Sequence, residues 1–255
     1  MLIDTHCHLN SEEFENTLDS TIKESIENKV NRLIVVGWDL KSSRKAFEIA
    51  NKYENVFAIV GFGPMDLKDI SETVLKEIEN MMHCSKVVAL GEIGLDYYWE
   101  KDPAKKEEQK KWFIRQIQLG NACKKPICIH NREAFEDCIN ILKKYKPEYG
   151  AVMHCYSGSV EYLSQIMNLG LYIGLDGPVT YKNAITPKEV AKEVRIDRLL
   201  LETDCPYLTP HPYRGTMNKP KNLVLIAEKI AELRGISIEE LAIQTTKNAK
   251  KLFNL

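Results

Sequence analysis

Short apolar runs rich in β-branched residues alternate along this chain with longer segments whose apolar residues recur at helical spacing. Eight of these runs predict strands, at residues 2–9, 32–36, 56–61, 87–92, 126–130, 151–154, 171–175 and 198–202. Strand–helix alternation repeated eight times predicts parallel strands joined by right-handed crossovers. A chain of 255 residues has the length typical of one (β/α)8 barrel. We therefore expect an α/β protein in which residues 1–255 form a single TIM-barrel domain with extra C-terminal helices.

The helical segments are less sharply defined than the strands. Leu18, Ile22, Ile26 and Val30 step by four residues, which predicts one apolar helical stripe. Asn131 follows the fifth predicted strand and is expected to cap the next helix. Two or three further helices are expected from about residue 220 to the end of the sequence.

The composition is that of an ordinary globular protein, with 44% hydrophobic and 28% charged residues. The formal net charge is -1, so no global positive field exists to hold nucleic acid. A polyanionic substrate would therefore have to be held by local groups or by metal ions.

The seven cysteines and the absence of long apolar runs indicate in which cellular compartment the protein is expected. The cysteine count is odd and no Cys-x-x-Cys occurs, which indicates reduced thiols in a cytoplasmic protein. No stretch reaches 18 consecutive apolar residues and no charged-then-apolar leader precedes the first strand. We expect neither export nor contact with a membrane.

Candidate metal ligands lie at the predicted carboxyl ends of the strands. His6 and His8 are two residues apart in the first strand, so their imidazoles point to the same face. The other candidates follow later strands: Glu92, His130, His154 and Asp204. The carboxyl ends of barrel strands surround one mouth, where active sites form. Four of the six histidines in the chain occupy these positions.

The chemistry of this set suits borderline divalent cations, because neutral imidazoles and carboxylates are ligands of Zn²⁺ and Mn²⁺. Six candidates exceed the four ligands of one tetrahedral site, which suggests two ions and a bridging carboxylate. Taken alone, His130 and His154 could be structural histidines and Asp204 a turn carboxylate. Asp4 and Glu202 share strand parity with the candidates. We expect them to support the metal ligands without binding metal themselves.

Five motifs in this order resemble the TatD family, which comprises metal-dependent deoxyribonucleases and related hydrolases of the amidohydrolase superfamily. The motifs are Asp4-Thr5-His6-Cys7-His8-Leu9, Gly91-Glu92-Ile93-Gly94-Leu95-Asp96-Tyr97, His130-Asn131-Arg132-Glu133-Ala134, His154-Cys155-Tyr156-Ser157-Gly158 and Glu202-Thr203-Asp204-Cys205-Pro206-Tyr207-Leu208.

The resemblance implies a (β/α)8 barrel with two divalent metal ions, of zinc, manganese or magnesium. One ion would be held by His6, His8 and the bridging Glu92, and the other by Glu92, His130 and His154. Asp204 would bind metal and take a proton from the attacking water. The catalytic residues are thus expected to be Asp204 and Glu92.

One departure from the family concerns position 63. The family usually carries a histidine in a Gly-x-His-Pro motif, whereas this chain has Gly61-Phe62-Gly63-Pro64. Glycine offers no ligand and no proton donor, so activity here is expected to be lowered or redirected relative to the family.

The leading hypothesis is a deoxyribonuclease that acts as a 3′–5′ exonuclease on single-stranded DNA ends, as a monomer. Arg132, Ser157, Tyr156 and Arg214 are the expected substrate-binding residues, although Arg132 could instead pair with Glu133 or Glu136. A first alternative is hydrolysis of ester or amide bonds, as in an aminoacyl-tRNA deacylase. A second is a non-catalytic, metal-stabilised scaffold, supported only by Gly63.

Overall fold

The computed structural model describes all 255 residues and contains one eight-stranded parallel sheet. Neighbouring strands follow chain order from β1 to β8. Their bounds are β1 Leu2–Cys7, β2 Val30–Val36, β3 Val56–Val60, β4 Val87–Asp96, β5 Ile127–Arg132, β6 Ala151–Met153, β7 Tyr172–Leu175 and β8 Leu199–Leu201. The predicted (β/α)8 architecture is confirmed.

No strand ladder pairs β8 with β1, but hydrogen bonds connect the two across the seam of the nearly closed barrel. The Thr5 hydroxyl donates to the carbonyl of Leu201 at 3.0 Å. Beyond β8, the Asp204 amide donates to the carbonyl of His6 at 2.9 Å, and the His8 amide donates to that of Cys205 at 2.8 Å. The segment after β8 is therefore fixed directly beside the end of β1.

Nine α-helices cover the outside and one end of the barrel. They are α1 Leu18–Glu27, α2 Leu40–Lys52, α3 Glu72–Met82, α4 Pro103–Ala122, α5 Phe135–Lys144, α6 Val160–Asn168, α7 Thr186–Glu193, α8 Leu223–Arg234 and α9 Ile238–Phe253. The expectation of additional helices after the last strand is confirmed by α8 and α9.

Two apolar clusters make up the core. The larger lies between the strands and the surrounding helices. The smaller joins Ile3, Ile34 and Ile59 to Leu252 and Phe253 of α9. Ile3 lies near the amino-terminal end of its strand, whereas Ile34 and Ile59 lie farther along theirs, inside the barrel. The apolar side chains of α9 that pack against them therefore cover the amino-terminal end of the barrel. The polar site is left to the opposite end.

Several predicted boundaries were wrong. β4 continues past Glu92 to Asp96, and β5 continues past His130 to Arg132. Asn131 therefore lies within a strand, and Ala134 is the residue that precedes α5. Val30 is the first residue of β2 rather than part of the helical stripe, because α1 has already ended at Glu27.

All seven cysteines are free thiols. None of the helices combines the length and the apolar character that crossing a bilayer would require.

Candidate metal centre

The six predicted ligands converge at the carboxyl-terminal mouth of the barrel. His6 lies in β1 and His8 just after it, while Glu92 lies within β4 and His130 within β5. His154 and Asp204 follow β6 and β8. Parallel strands in a barrel aim such residues at one point, although the residues come from distant parts of the sequence.

One group of donors surrounds a point between β1, β4 and β8. The Nε2 atom of His8 lies 3.3 Å from Nε2 of His6 and 3.3 Å from Oδ1 of Asp204. The Nε2 atom of His6 lies 3.6 Å from Oε2 of Glu92 and 3.7 Å from Oδ1 of Asp204. In a tetrahedral zinc site with bonds of about 2.0–2.1 Å, neighbouring ligand atoms are about 3.3 Å apart. The donor set fits a divalent cation.

A second group uses the other oxygen of the same glutamate. Oε1 of Glu92 lies 2.8 Å from Nδ1 of His130 and 2.9 Å from Nε2 of His154. The two imidazole nitrogens are 3.4 Å apart. Glu92 thus directs one oxygen to each group, which is the arrangement of a carboxylate that bridges two cations.

The protonation states of the buried ligands differ. Burial and the neighbouring His154 lower the pKa of His6 to about 4, so the imidazole is uncharged at neutral pH. Burial alone would raise the pKa of Glu92, but His154 and the hydrogen bonds from the imidazoles hold it well below its ordinary value. An ionised glutamate beside a neutral imidazole is suited to receiving a metal ion.

Hydrogen bonds orient the imidazoles from behind. Nδ1 of His8 lies 3.0 Å from the carbonyl oxygen of Val36, so Nδ1 carries a proton and Nε2 is the nitrogen that faces His6 and Asp204. Nε2 of His130 lies 2.9 Å from Oδ2 of Asp96. Asp96 was not singled out from the sequence. It could have been found from strand parity with Glu92, had β4 been predicted at its full length.

A glycine separates the two carboxylates that contact His130 and lies directly against the His130 backbone. Gly94 pairs with His130 in the ladder between β4 and β5, between Glu92 and Asp96. It has a φ of +145°, and a Cβ added there would come within 1.9 Å of the His130 carbonyl oxygen. The absence of a side chain lets β4 lie directly against the backbone of His130, and the carboxylates of Glu92 and Asp96 contact opposite nitrogens of the same imidazole. Although burial opposes the charged form, these two carboxylates raise the pKa of His130 to about 10.

The two expected supporting carboxylates are fully buried behind the ligands. Asp4 accepts hydrogen bonds from the Thr203 amide at 3.0 Å and from its hydroxyl at 2.6 Å. Glu202 accepts a hydrogen bond from the Cys155 amide, next to His154. Asp4 and Glu202 therefore fix the backbone beside Asp204 and His154.

An open cleft of about 290 Å³ leads to the ligands. Arg132 and Gly63 line it, together with Tyr207, a residue expected on a loop at the barrel mouth, and with two aromatic side chains that sequence reasoning did not place there, Trp38 and Trp99. A Cβ added at Gly63 would meet Asp66 and Trp38 only at 3.6 Å, an ordinary contact distance. The position therefore has room for a side chain, and glycine enlarges the cleft.

The model of the family described as TatD related DNase matches residues 3–254 of this sequence. The chain belongs to the TatD family.

Individual relatives agree with the family model. The metal-dependent hydrolase YabD of Bacillus subtilis is 46% identical over 256 residues, covering 100% of both chains. The metal-dependent hydrolase YcfH of Escherichia coli K12 is 35% identical over 258 residues, covering 100% of this chain and 96% of its own. Among solved structures, the TatD homologue YjjV of E. coli K12 superposes with a TM-score of 0.94 at 28% identity, covering 100% of this chain and 98% of its own.

In this TatD protein, the four expected substrate-binding residues occupy different environments. Arg132 lines the cleft, and it forms no ion pair with Glu133 or Glu136. Ser157 is exposed shortly before α6. Tyr156 is only 5% exposed and donates its hydroxyl to the carbonyl of Ser159. The Arg214 guanidinium lies over the ring of Tyr181 at 4.3 Å, away from the cleft lining.

Proposed function

We propose that this TatD protein is a metal-dependent hydrolase of phosphodiester bonds, and that it removes nucleotides from the 3′ end of single-stranded DNA. The observation that carries the proposal is the bridging geometry of Glu92, whose two oxygens face two separate sets of imidazoles. The family name, TatD related DNase, supports a nucleic acid as the substrate.

Two divalent cations would be held by the two donor groups. His6, His8 and Asp204 with Oε2 of Glu92 form one group, and Oε1 of Glu92 with His130 and His154 forms the other. When bound, a pair of such cations supplies acidity to a nearby water and neutralises charge on the phosphoryl oxygens.

Asp204 is the proposed general base. Burial alone would raise its pKa, but the hydrogen bond with His8 and the nearby imidazoles bring the pKa of Asp204 below its ordinary value. An ionised carboxylate can accept the proton of the attacking water. Its backbone is fixed by the hydrogen bond to the His6 carbonyl, so the carboxylate stays beside the two histidines of β1.

Arg132 is the proposed phosphate-binding residue. It lies two residues after His130 in β5, so strand parity places both on the same face. A planar guanidinium can donate two parallel hydrogen bonds to phosphate oxygens. Backbone N–H groups at Ser157 and Gly158, which precede α6, would supplement it.

The test is an assay of metal-loaded protein on a single-stranded oligonucleotide labelled at its 5′ end, with Mn²⁺, Mg²⁺ and Zn²⁺ compared. We expect stepwise shortening from the 3′ end that stops with chelator and falls by about 10²-fold or more in Asp204→Asn. The matched control is Asp197→Asn, which alters an aspartate with a half-exposed side chain whose only ion pair is with Arg195.

Other outcomes would redirect or overturn the proposal. Release of amino acid from aminoacyl-tRNA with no release of nucleotide would assign the same residues to a carbonyl substrate. Bound metal without turnover of either substrate would contradict hydrolysis altogether and would support a scaffold.

A further inference from the structure

Two exposed aromatic residues lie beside the proposed centre in the loop that follows β4. Trp99 is 64% exposed and lines the cleft with His130 and Arg132. The rings of Tyr98 and Trp99 meet edge to face, with their centroids 4.8 Å apart. An indole left this exposed at the entrance to a polar cleft buries little apolar surface within the protein itself.

The position of Trp99 is tied to a proposed metal ligand. The Trp99 amide donates a hydrogen bond to Oδ1 of Asp96 at 2.9 Å. The other oxygen of that carboxylate lies 2.9 Å from Nε2 of His130. One buried carboxylate therefore fixes both the imidazole and the backbone that carries the indole.

Arg132 completes this corner of the cleft. Its guanidinium carbon lies 3.8 Å from the ring centroid of Tyr98. No carboxylate lies within ion-pairing distance of it, since the neighbouring Glu133 faces Lys101 instead. Stacking on an aromatic ring occupies the face of a guanidinium and leaves the N–H groups in its plane available for an anion.

We propose that Trp99 is a stacking subsite for the unpaired terminal nucleobase of a single strand, whose adjoining phosphate is held by Arg132. This inference rests on the proposed phosphodiesterase function. Aromatic side chains stack on any base because every base has a π-face. A base within a duplex is already stacked on its neighbours and paired, so the subsite selects frayed or single-stranded ends.

The experiment compares two oligonucleotides that differ only in an abasic residue at the 3′ terminus. We expect the wild-type protein to show a KM about 10-fold higher for the abasic strand, the effect of one lost base–aromatic stack. Trp99→Ala should raise KM for the normal strand to the abasic value with kcat nearly unchanged, and Trp99→Phe should restore most of the difference. Tyr149→Ala is the matched control, because Tyr149 is an exposed aromatic residue just before β6, at the other end of the barrel.

Fluorescence anisotropy of the same labelled strands separates this inference from the proposed function. If no metal supports cleavage, tighter binding of the normal strand that disappears in Trp99→Ala would still establish the subsite. If the wild-type protein cleaves DNA but Trp99→Ala keeps the preference for the normal strand, the subsite is refuted and the nuclease proposal stands. Equal binding of both strands by the wild-type protein would also refute it.

Discussion

Oδ2 of Asp96 lies 2.9 Å from Nε2 of His130, while Nδ1 of the same imidazole faces Glu92 at 2.8 Å. The ring is thus held between two carboxylates, of which one is a proposed bridging ligand and the other is not a ligand. Carboxylates in this outer position fix the orientation of a histidine and make it a stronger metal ligand.

Removing the charge of Asp96, which contacts His130 but is not a proposed ligand, should weaken metal binding while all ligands remain. We predict that Asp96→Asn lowers the affinity for the ion held by His130 and His154 by about 10–100-fold. Competition with a chelator that reports free Mn²⁺ would measure this. Asp137→Asn is the control, because this aspartate contacts only Tyr97 and Lys110 outside the centre. Equal affinities in the two variants would show that Asp96 has no role in orienting His130.

Metal binding should release protons. In the metal-free protein, the pKa of His130 is about 10 because Asp96 and Glu92 stabilise its protonated form. At neutral pH an incoming cation must therefore displace that proton. The apparent affinity should rise with pH, by about tenfold per unit for each proton displaced.

Calorimetric titration of Mn²⁺ in buffers of different ionisation enthalpy would count these protons. Asp96→Asn removes one of the two carboxylates that raise the pKa of His130, so it should release fewer protons than the wild-type protein. A proton count of zero at neutral pH would contradict this account of His130.

The absence of a side chain at position 94 should be essential. A Cβ at Gly94 would meet the His130 carbonyl oxygen at 1.9 Å, and the φ of +145° disfavours any other residue. We predict that Gly94→Ala lowers the free energy of unfolding of the metal-free protein by about 2–4 kcal/mol, measured by urea denaturation. Gly63→Ala, where the added atom has ordinary contacts at 3.6 Å, should change it by less than about 0.5 kcal/mol. Similar losses in both variants would argue against a steric requirement at Gly94.

The strand order and the convergence of the ligands could be predicted because both follow from the alternation of apolar runs and helical segments, which is visible in a single sequence. Eight apolar runs in alternation with helices allow few arrangements, and a parallel barrel sends all carboxyl ends to one mouth. The position of Glu92 at this mouth followed from that reasoning even though its strand was predicted too short.

The errors arose where tertiary contacts override local preference. A charged residue such as Glu92 ends an apolar run, yet β4 continues to Asp96 because imidazoles compensate both carboxylates. Asn131 has the side chain of a helix cap, but pairing of β5 with β4 keeps it in the strand. The cleft aromatics lie in loops, where periodicity carries no signal, so Trp38 and Trp99 were found only from the fold.

Elemental analysis combined with an anomalous difference map of crystals grown with Zn²⁺ tests the central claim most directly. We predict two ions per chain, one on each side of the Glu92 carboxylate, and a loss of bridging in Glu92→Gln. A map without anomalous peaks among His6, His8, His130 and His154, or a single ion that does not contact Glu92, would contradict the account.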